Sequence, residues 1–238
     1  MPSRVIPYVK AVVHLLCLIP FAILLEDYRS GALLVMADPV NYITHFTGDW
    51  ALWILLASLA VTPLRRLHPR LGNLIRFRRM LGLYAFFYAT LHLATYLFLF
   101  TGYDLPTAWA GLTHGHLGAI SEQWRVVWPT MVRDLEKRRF IQVGLLAWVI
   151  LLALAVTSPV LVLRRMGGKN WQRLHRLVYV AAAAGCVHYW WLVKRGVQRP
   201  MPDTLILMGL LLARVVWWGL KRRRTVANGM LRPANPVV

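Results

Sequence analysis

The stretch from Trp171 to Trp191, WQRLHRLVYVAAAAGCVHYWW, decides how the chain reads. It is long and apolar enough to cross a bilayer, yet it carries two histidines, His175 and His188. An ionisable side chain at membrane depth is costly, which makes it a functional-site signal by default. The two lie thirteen residues apart, roughly 20 Å along a helix at ~1.5 Å per residue, against a hydrocarbon core of about 30 Å. One imidazole near each membrane face suggests that the protein moves electrons or protons across. On a straight helix, thirteen steps of about 100° leave ~220° of net rotation, so the two rings are expected to face different neighbours.

The rest of the chain fits a membrane protein. Of 238 residues, 58% are hydrophobic, and mean hydropathy is +0.51, which leaves room for about six spans and little else. Eleven Trp and nine Tyr suit a protein with two membrane interfaces, where amphipathic rings collect. A net charge of +19 would suit nucleic acid, but the basic residues sit in short tracts between apolar runs, which is the pattern of membrane topology. Cys17 and Cys186 both lie inside apolar runs. Neither forms the C-x-x-C or C-x-x-C-H spacing that a zinc ribbon or covalent haem needs.

The expected fold is all-α: a polytopic bundle of six transmembrane helices at about 8–25, 50–67, 80–100, 140–163, 171–193 and 204–220. The first resembles a signal peptide, but no small-x-small cleavage site precedes Glu26-Asp27, so it reads as an uncleaved helix. Residues 28–49 hold too many turn formers to span, with Ala32–Met36 at the interface and His45 in a loop. The connection at 101–139, rich in Trp, reads as one or two interfacial helices containing His114 and His116. Thr157-Ser158-Pro159 breaks the fourth span near its end.

Charge orients the bundle. The N-terminus, the 65–79 loop, the 164–176 turn and the C-terminal tail hold eighteen Lys and Arg residues, and the opposite side holds nine, with Arg214 inside the last span. All nine acidic residues fall on that second side. Because positive charge is retained in the cytoplasm, both termini are expected there.

With that topology, His92 on the third span and His188 on the fifth lie in the outer half, on helices that run parallel. Two neutral histidines with aromatic flanks and no carboxylates suit axial ligation of a haem iron. Gly82, Ala85 and the small residues at 181–185 would allow close helix approach or room for a flat macrocycle. His175 is the cytoplasmic-side candidate. Its depth-matched position on the third span is Arg79, so His14 and His68 are its alternative partners. A lone intramembrane histidine such as His14 also reads as a hydrogen-bonding strut, and His45, His68, His114 and His116 read as solvated.

The stretches RRMLGLYAFFYATLH (78–92), WQRLHRLVYV with VHYWW (171–191), and DPVNYITHFTGDWAL with AVTPL resemble the haem-binding membrane subunit of the bacterial protein-methionine-sulfoxide reductase system. That family groups with ferric-reductase-like and NADPH-oxidase membrane domains. The resemblance spans nearly all of residues 1–238 and implies a single ferric-reductase-like domain in the bacterial inner membrane. It implies a b-type cytochrome with one or two haems, with His92, His188 and His175 as the matching ligands. It also implies FMN as a cofactor, the quinone pool or a flavin reductase as electron donor, and a periplasmic molybdopterin-containing reductase as acceptor. No G-x-G-x-x-G follows a strand and only about eighteen residues follow Leu220, so the donor is expected to be a separate molecule. No catalytic triad or H-E-x-x-H is present. A small transporter or proton channel using the intramembrane histidines and Arg214 is the alternative, against which the lack of buried acids counts.

Overall fold

A computed structural model describes residues 5–116, 118–194 and 196–230. Arg4, Arg195 and Arg232, counted above for orientation, lie outside them. The described residues are helical, without strands. Helices α1 (Ile6–Arg29), α2 (Pro39–Leu67), α3 (Arg78–Thr95) with its π-helical continuation Tyr96–Phe100, α6 (Arg139–Val156) and α10 (Met201–Met230) are the five that contain a stretch long and apolar enough to cross a membrane. Between α3 and α6 lie α4 (Leu105–Thr113) and α5 (Ala119–Lys137), and between α6 and α10 lie α7 (Val160–Met166), α8 (Gly168–His175) and α9 (Val178–Leu192).

Two boundaries differ from the sequence reading. The second span starts at Pro39 rather than near Trp50, because Asp38-Pro39 acts as a helix start instead of a breaker. The Asp38 carboxylate accepts from the Asn41 amide at 2.9 Å, and Pro39 stands in the first turn, where its missing N–H costs nothing. The stretch read as one fifth span is two helices. Arg176 and Leu177 donate to the carbonyls of Arg173 and Leu174, and Tyr179 donates to that of Arg176, an i→i+3 pattern that tightens the chain between α8 and α9. Fifteen residues of α9 amount to roughly 22 Å.

The bundle is built around α2. It packs most extensively on α3, while α6 packs on α9, and α10 closes against α2 and α9. Leu52, Leu55, Leu59, Ala85, Tyr88, Ala181 and Ala182 form the buried centre. The small residues singled out in the sequence face α2: a Cβ on Gly82 would stand 3.9 Å from Ser58 Oγ, and one on Gly185 would stand 3.6 Å from Leu52. At these two positions the small residue allows close helix approach.

One buried hydroxyl reaches into the backbone of helix α1. Tyr88, fully buried, donates to the Cys17 carbonyl at 2.7 Å and accepts from the Phe21 amide at 3.1 Å. Those two backbone groups are i→i+4 partners, so the phenol stands inside the helical ladder beside Pro20. A side chain inserted there, next to proline, is a recognised cause of helix bending. At the other end of α3, Tyr96 donates to Asp134 of α5 at 3.2 Å, tying the π segment to the outer hairpin.

Candidate functional site

The structure brings His92 of α3 and His188 of α9 together, with ring centroids 5.8 Å apart at 83°. Each ring is held in the same way. His92 Nδ1 bonds the Thr44 carbonyl of α2 at 2.9 Å, and His188 Nδ1 bonds the Phe140 carbonyl of α6 at 2.7 Å. A carbonyl only accepts, so in both neutral rings Nδ1 carries the proton and the Nε2 lone pair is left facing outward. His188 Nε2 is buried without a hydrogen-bond partner. A backbone carbonyl on one ring nitrogen fixes tautomer and orientation of the other, which is how ligating histidines are ordinarily supported.

A glycine accompanies each carbonyl one turn on. A Cβ at Gly48 would stand 3.0 Å from His92 Nδ1, and one at Gly144 would stand 2.6 Å from His188 Nδ1. A side chain at Gly144 would force the His188 ring to shift, and one at Gly48 would press on the His92 ring. The device occurs twice in one register: Thr44, Gly48 and His92 precede Phe140, Gly144 and His188 by 96 residues each. Neither glycine was picked out from the sequence, but the shared 96-residue offset is a signal that could have found both. The site thus offers two neighbouring imidazoles, each with Nδ1 committed to a backbone carbonyl and Nε2 left as a donor, a donor set that fits a haem iron.

Residues 47–186 match the family described as ferric reductase like transmembrane component. Over 221 residues the chain is 41% identical to the protein-methionine-sulfoxide reductase heme-binding subunit MsrQ of Herminiimonas arsenicoxydans, covering 92% of this chain and 89% of that protein. The chain belongs to the MsrQ family. The MsrQ of Xanthomonas axonopodis pv. citri (strain 306) is likewise 41% identical, over 94% of this chain and 93% of its own. No solved structure matches.

The remaining candidates in this MsrQ-family chain fall elsewhere. His175 stacks on Trp171 at 3.8 Å, and its Nε2 lies 3.2 Å from Thr157 Oγ1. Thr157 already donates its hydroxyl proton to the Ala153 carbonyl at 2.7 Å, so His175 Nε2 is the donor here and is engaged. His14 bonds Tyr84 of α3 at 2.9 Å, which makes it an interhelical strut, and the structure does not bring it to His175. His175 and His188 meet different residues, Thr157 and Trp171 for the first, Phe140 and His92 for the second. The first lies beside the C-cap of α6 and the second beside its first turn.

His45 also moves. It lies within α2, half-buried, with its ring 6.2 Å from that of Tyr189, and not in a solvated loop. Asp203, 6% exposed, accepts from Trp53 Nε1 at 3.1 Å, so the bundle does contain a buried acid. His116 is exposed and pairs with Glu122 at 3.1 Å. The 101–139 connection folds as the α4–α5 hairpin, where Tyr103, Ala108 and Val127 are buried with Phe98 and Trp124 against them. Asp104 caps α4 by accepting from the amide and hydroxyl of Thr107, and these bonds hold its carboxyl below the usual carboxylate range.

Proposed function

We propose that this chain is the haem-b-carrying electron-transfer subunit of a methionine sulfoxide reductase system, with His92 and His188 as the axial pair. The observation that carries the reading is the twin support of the two imidazoles, each with Nδ1 committed to a backbone carbonyl and its ring seated on a glycine. Bound between them, a haem would supply one-electron chemistry. The protein fixes the donor nitrogens, keeps them neutral, and holds the station within the bundle, where axial ligand and burial set its potential. His175, whose Nε2 is engaged by Thr157, would not serve a second station without breaking that bond.

The proposed path runs from quinol or a reduced flavin to a periplasmic molybdopterin-dependent partner that repairs oxidised methionine. The chain would cross the bacterial inner membrane six times, with α8 and α9 together supplying the fifth crossing and both termini in the cytoplasm. The unequal distribution of Lys and Arg supports that orientation. The test is the haem-to-protein ratio and reduced-minus-oxidised spectrum of purified protein. A b-type α-band is expected, lost in His92→Ala and in His188→Ala and kept in His175→Ala. A colourless wild-type protein purified with haem supplied would refute the reading, and proton or solute flux in liposomes would replace it with the channel alternative.

A further inference from the structure

Two fastenings join the helix that carries His92 to the helix that aims His188, one on either side of the pair. Before His92 on α3, Thr90 Oγ1 accepts from Trp148 Nε1 of α6 at 3.1 Å. Beyond His92, the Tyr96 hydroxyl donates to Asp134 Oδ2 of α5 at 3.2 Å, and the other carboxylate oxygen, Oδ1, accepts from Arg138 Nε at 2.9 Å. Tyr96 stands one turn past His92 and donates its own amide to the His92 carbonyl. Arg138 stands two residues before Phe140, whose carbonyl accepts from His188 Nδ1 at 2.7 Å.

The corner between α5 and α6 is stiff enough to pass this tie on. Arg138 is the single non-helical residue between the two helices, with φ −104° and ψ 95°. Its amide donates to the Asp134 carbonyl at 2.9 Å, and across the break Gln142 Nε2 of α6 donates to the Leu135 carbonyl of α5 at 2.8 Å. Hydrogen bonds on both sides of one extended residue leave the corner little freedom, so what anchors Asp134 also anchors the first turn of α6.

An i→i+4 ion pair on a helix surface contributes little by itself, and the Arg138 side chain is 56% exposed. Asp134 is different. Its side chain is only 19% exposed, and each of its oxygens serves a donor from a different support of the histidine pair. Hydrogen bonds to a carboxylate are shorter and stronger than those between neutral groups. Removing either donor leaves a mostly buried charge partly unanswered, so the two arms act in series.

Taking His92 and His188 as the axial pair proposed above, we propose that Asp134 is a positioning residue for both. Its carboxylate, shared between Tyr96 and Arg138, holds the α3 turn after His92 against the α6 turn whose carbonyl aims His188. Helix α5 thereby helps to set ligand geometry while Asp134 touches neither imidazole.

The experiment compares the full-length wild-type chain with Asp134→Ala, Tyr96→Phe, Arg138→Gln and the combined Tyr96→Phe, Arg138→Gln variant. Glu136→Ala, which removes an exposed acid of the same helix, is the control for loss of charge. The first readout is the low-spin ferric electron paramagnetic resonance spectrum of haem-loaded protein, whose largest g value follows the angle between the imidazole planes. The second needs no haem: in ¹⁵N-histidine spectra of the apoprotein, the Nδ1–H tautomer of His188, assigned by its absence in His188→Ala, reports the bond to Phe140. Each single variant is expected to shift the largest g value and to mix the His188 tautomers. The combined variant should be no worse than either of its components, because arms in series fail together. Tyr96→Phe removes one oxygen atom, so it decides the matter should Asp134→Ala not fold. An unchanged spectrum and tautomer in Tyr96→Phe overturn the proposal, as does a response to Tyr96→Phe that Arg138→Gln does not share or that Glu136→Ala reproduces. A wild-type protein that takes up no haem refutes the axial pair alone, and the tautomer comparison then decides whether Asp134 positions His188.

Discussion

Replacing Gly144 by alanine tests the support of His188 directly. The added Cβ would lie 2.6 Å from Nδ1, 2.9 Å from Cε1 and 3.2 Å from Cγ of the imidazole, so the whole near edge of the ring is in the way. Restoring ordinary van der Waals clearance requires a retreat of roughly 0.8 Å. The Nδ1 bond to Phe140, now 2.7 Å, would then stretch beyond the ~3.2 Å limit of a good hydrogen bond. The ring loses its buried partner and its aim, at a cost of about 1–3 kcal/mol, equivalent to roughly 5- to 150-fold weaker retention of a ligated group. Gly48→Ala should be milder, since its Cβ would meet His92 Nδ1 at 3.0 Å. Gly209→Ala is the control, with nothing within 4 Å of the added carbon. The assay is haem content and dissociation rate in purified protein, with circular dichroism confirming that the helices are kept. Equal haem retention in Gly144→Ala and Gly209→Ala would refute the reasoning.

Three further outcomes are expected. Tyr88→Phe removes the hydroxyl bridging Cys17 and Phe21 and should destabilise the bundle by about 1–3 kcal/mol, read as a lower thermal midpoint; an unchanged midpoint would mean that α1 closes its own ladder at no cost. Arg214 donates to the Leu59 carbonyl, which Pro63 leaves without its helical donor. Arg214→Leu orphans that carbonyl, whereas Pro63→Ala returns an amide donor to it, so the two should couple favourably by roughly 1 kcal/mol in a double-mutant cycle; strict additivity would argue against the exchange of donors. Asp104 has its carboxyl held below the usual range by Thr107, so its cap is intact above the unfolded carboxylate pKa and is lost as pH falls through the lowered folded value; amide exchange at Thr107 should accelerate over that acid window, and a flat profile would contradict it.

Much of the site was legible in the sequence because membranes penalise polarity so heavily. Histidine inside an apolar run is conspicuous, and equal depth on parallel helices pairs His92 with His188 by arithmetic alone. The helix starts were harder. Asp38-Pro39 is both a turn signal and a helix-start signal, and only the capping bond to Asn41 decides between them, which moved His45 and Asp49 from a loop into α2. His175 was read as a cytoplasmic-side candidate with an open partner because a sequence shows residue type and spacing, whereas its contact with Thr157 depends on the tertiary packing.

The sequence by itself determined the class of the molecule: helical, built to cross a membrane, strongly basic, and carrying histidines within apolar runs. Those properties follow from residue type and period, which local chemistry dictates. The tertiary structure decided which carbonyl orients each imidazole, how closely Gly48 and Gly144 let the rings approach the neighbouring helices, and that Arg214 reaches the Leu59 carbonyl that Pro63 leaves without a helical donor. Each of these depends on how side chains from distant helices meet, and a carbonyl 48 residues away from its histidine leaves no trace in local pattern.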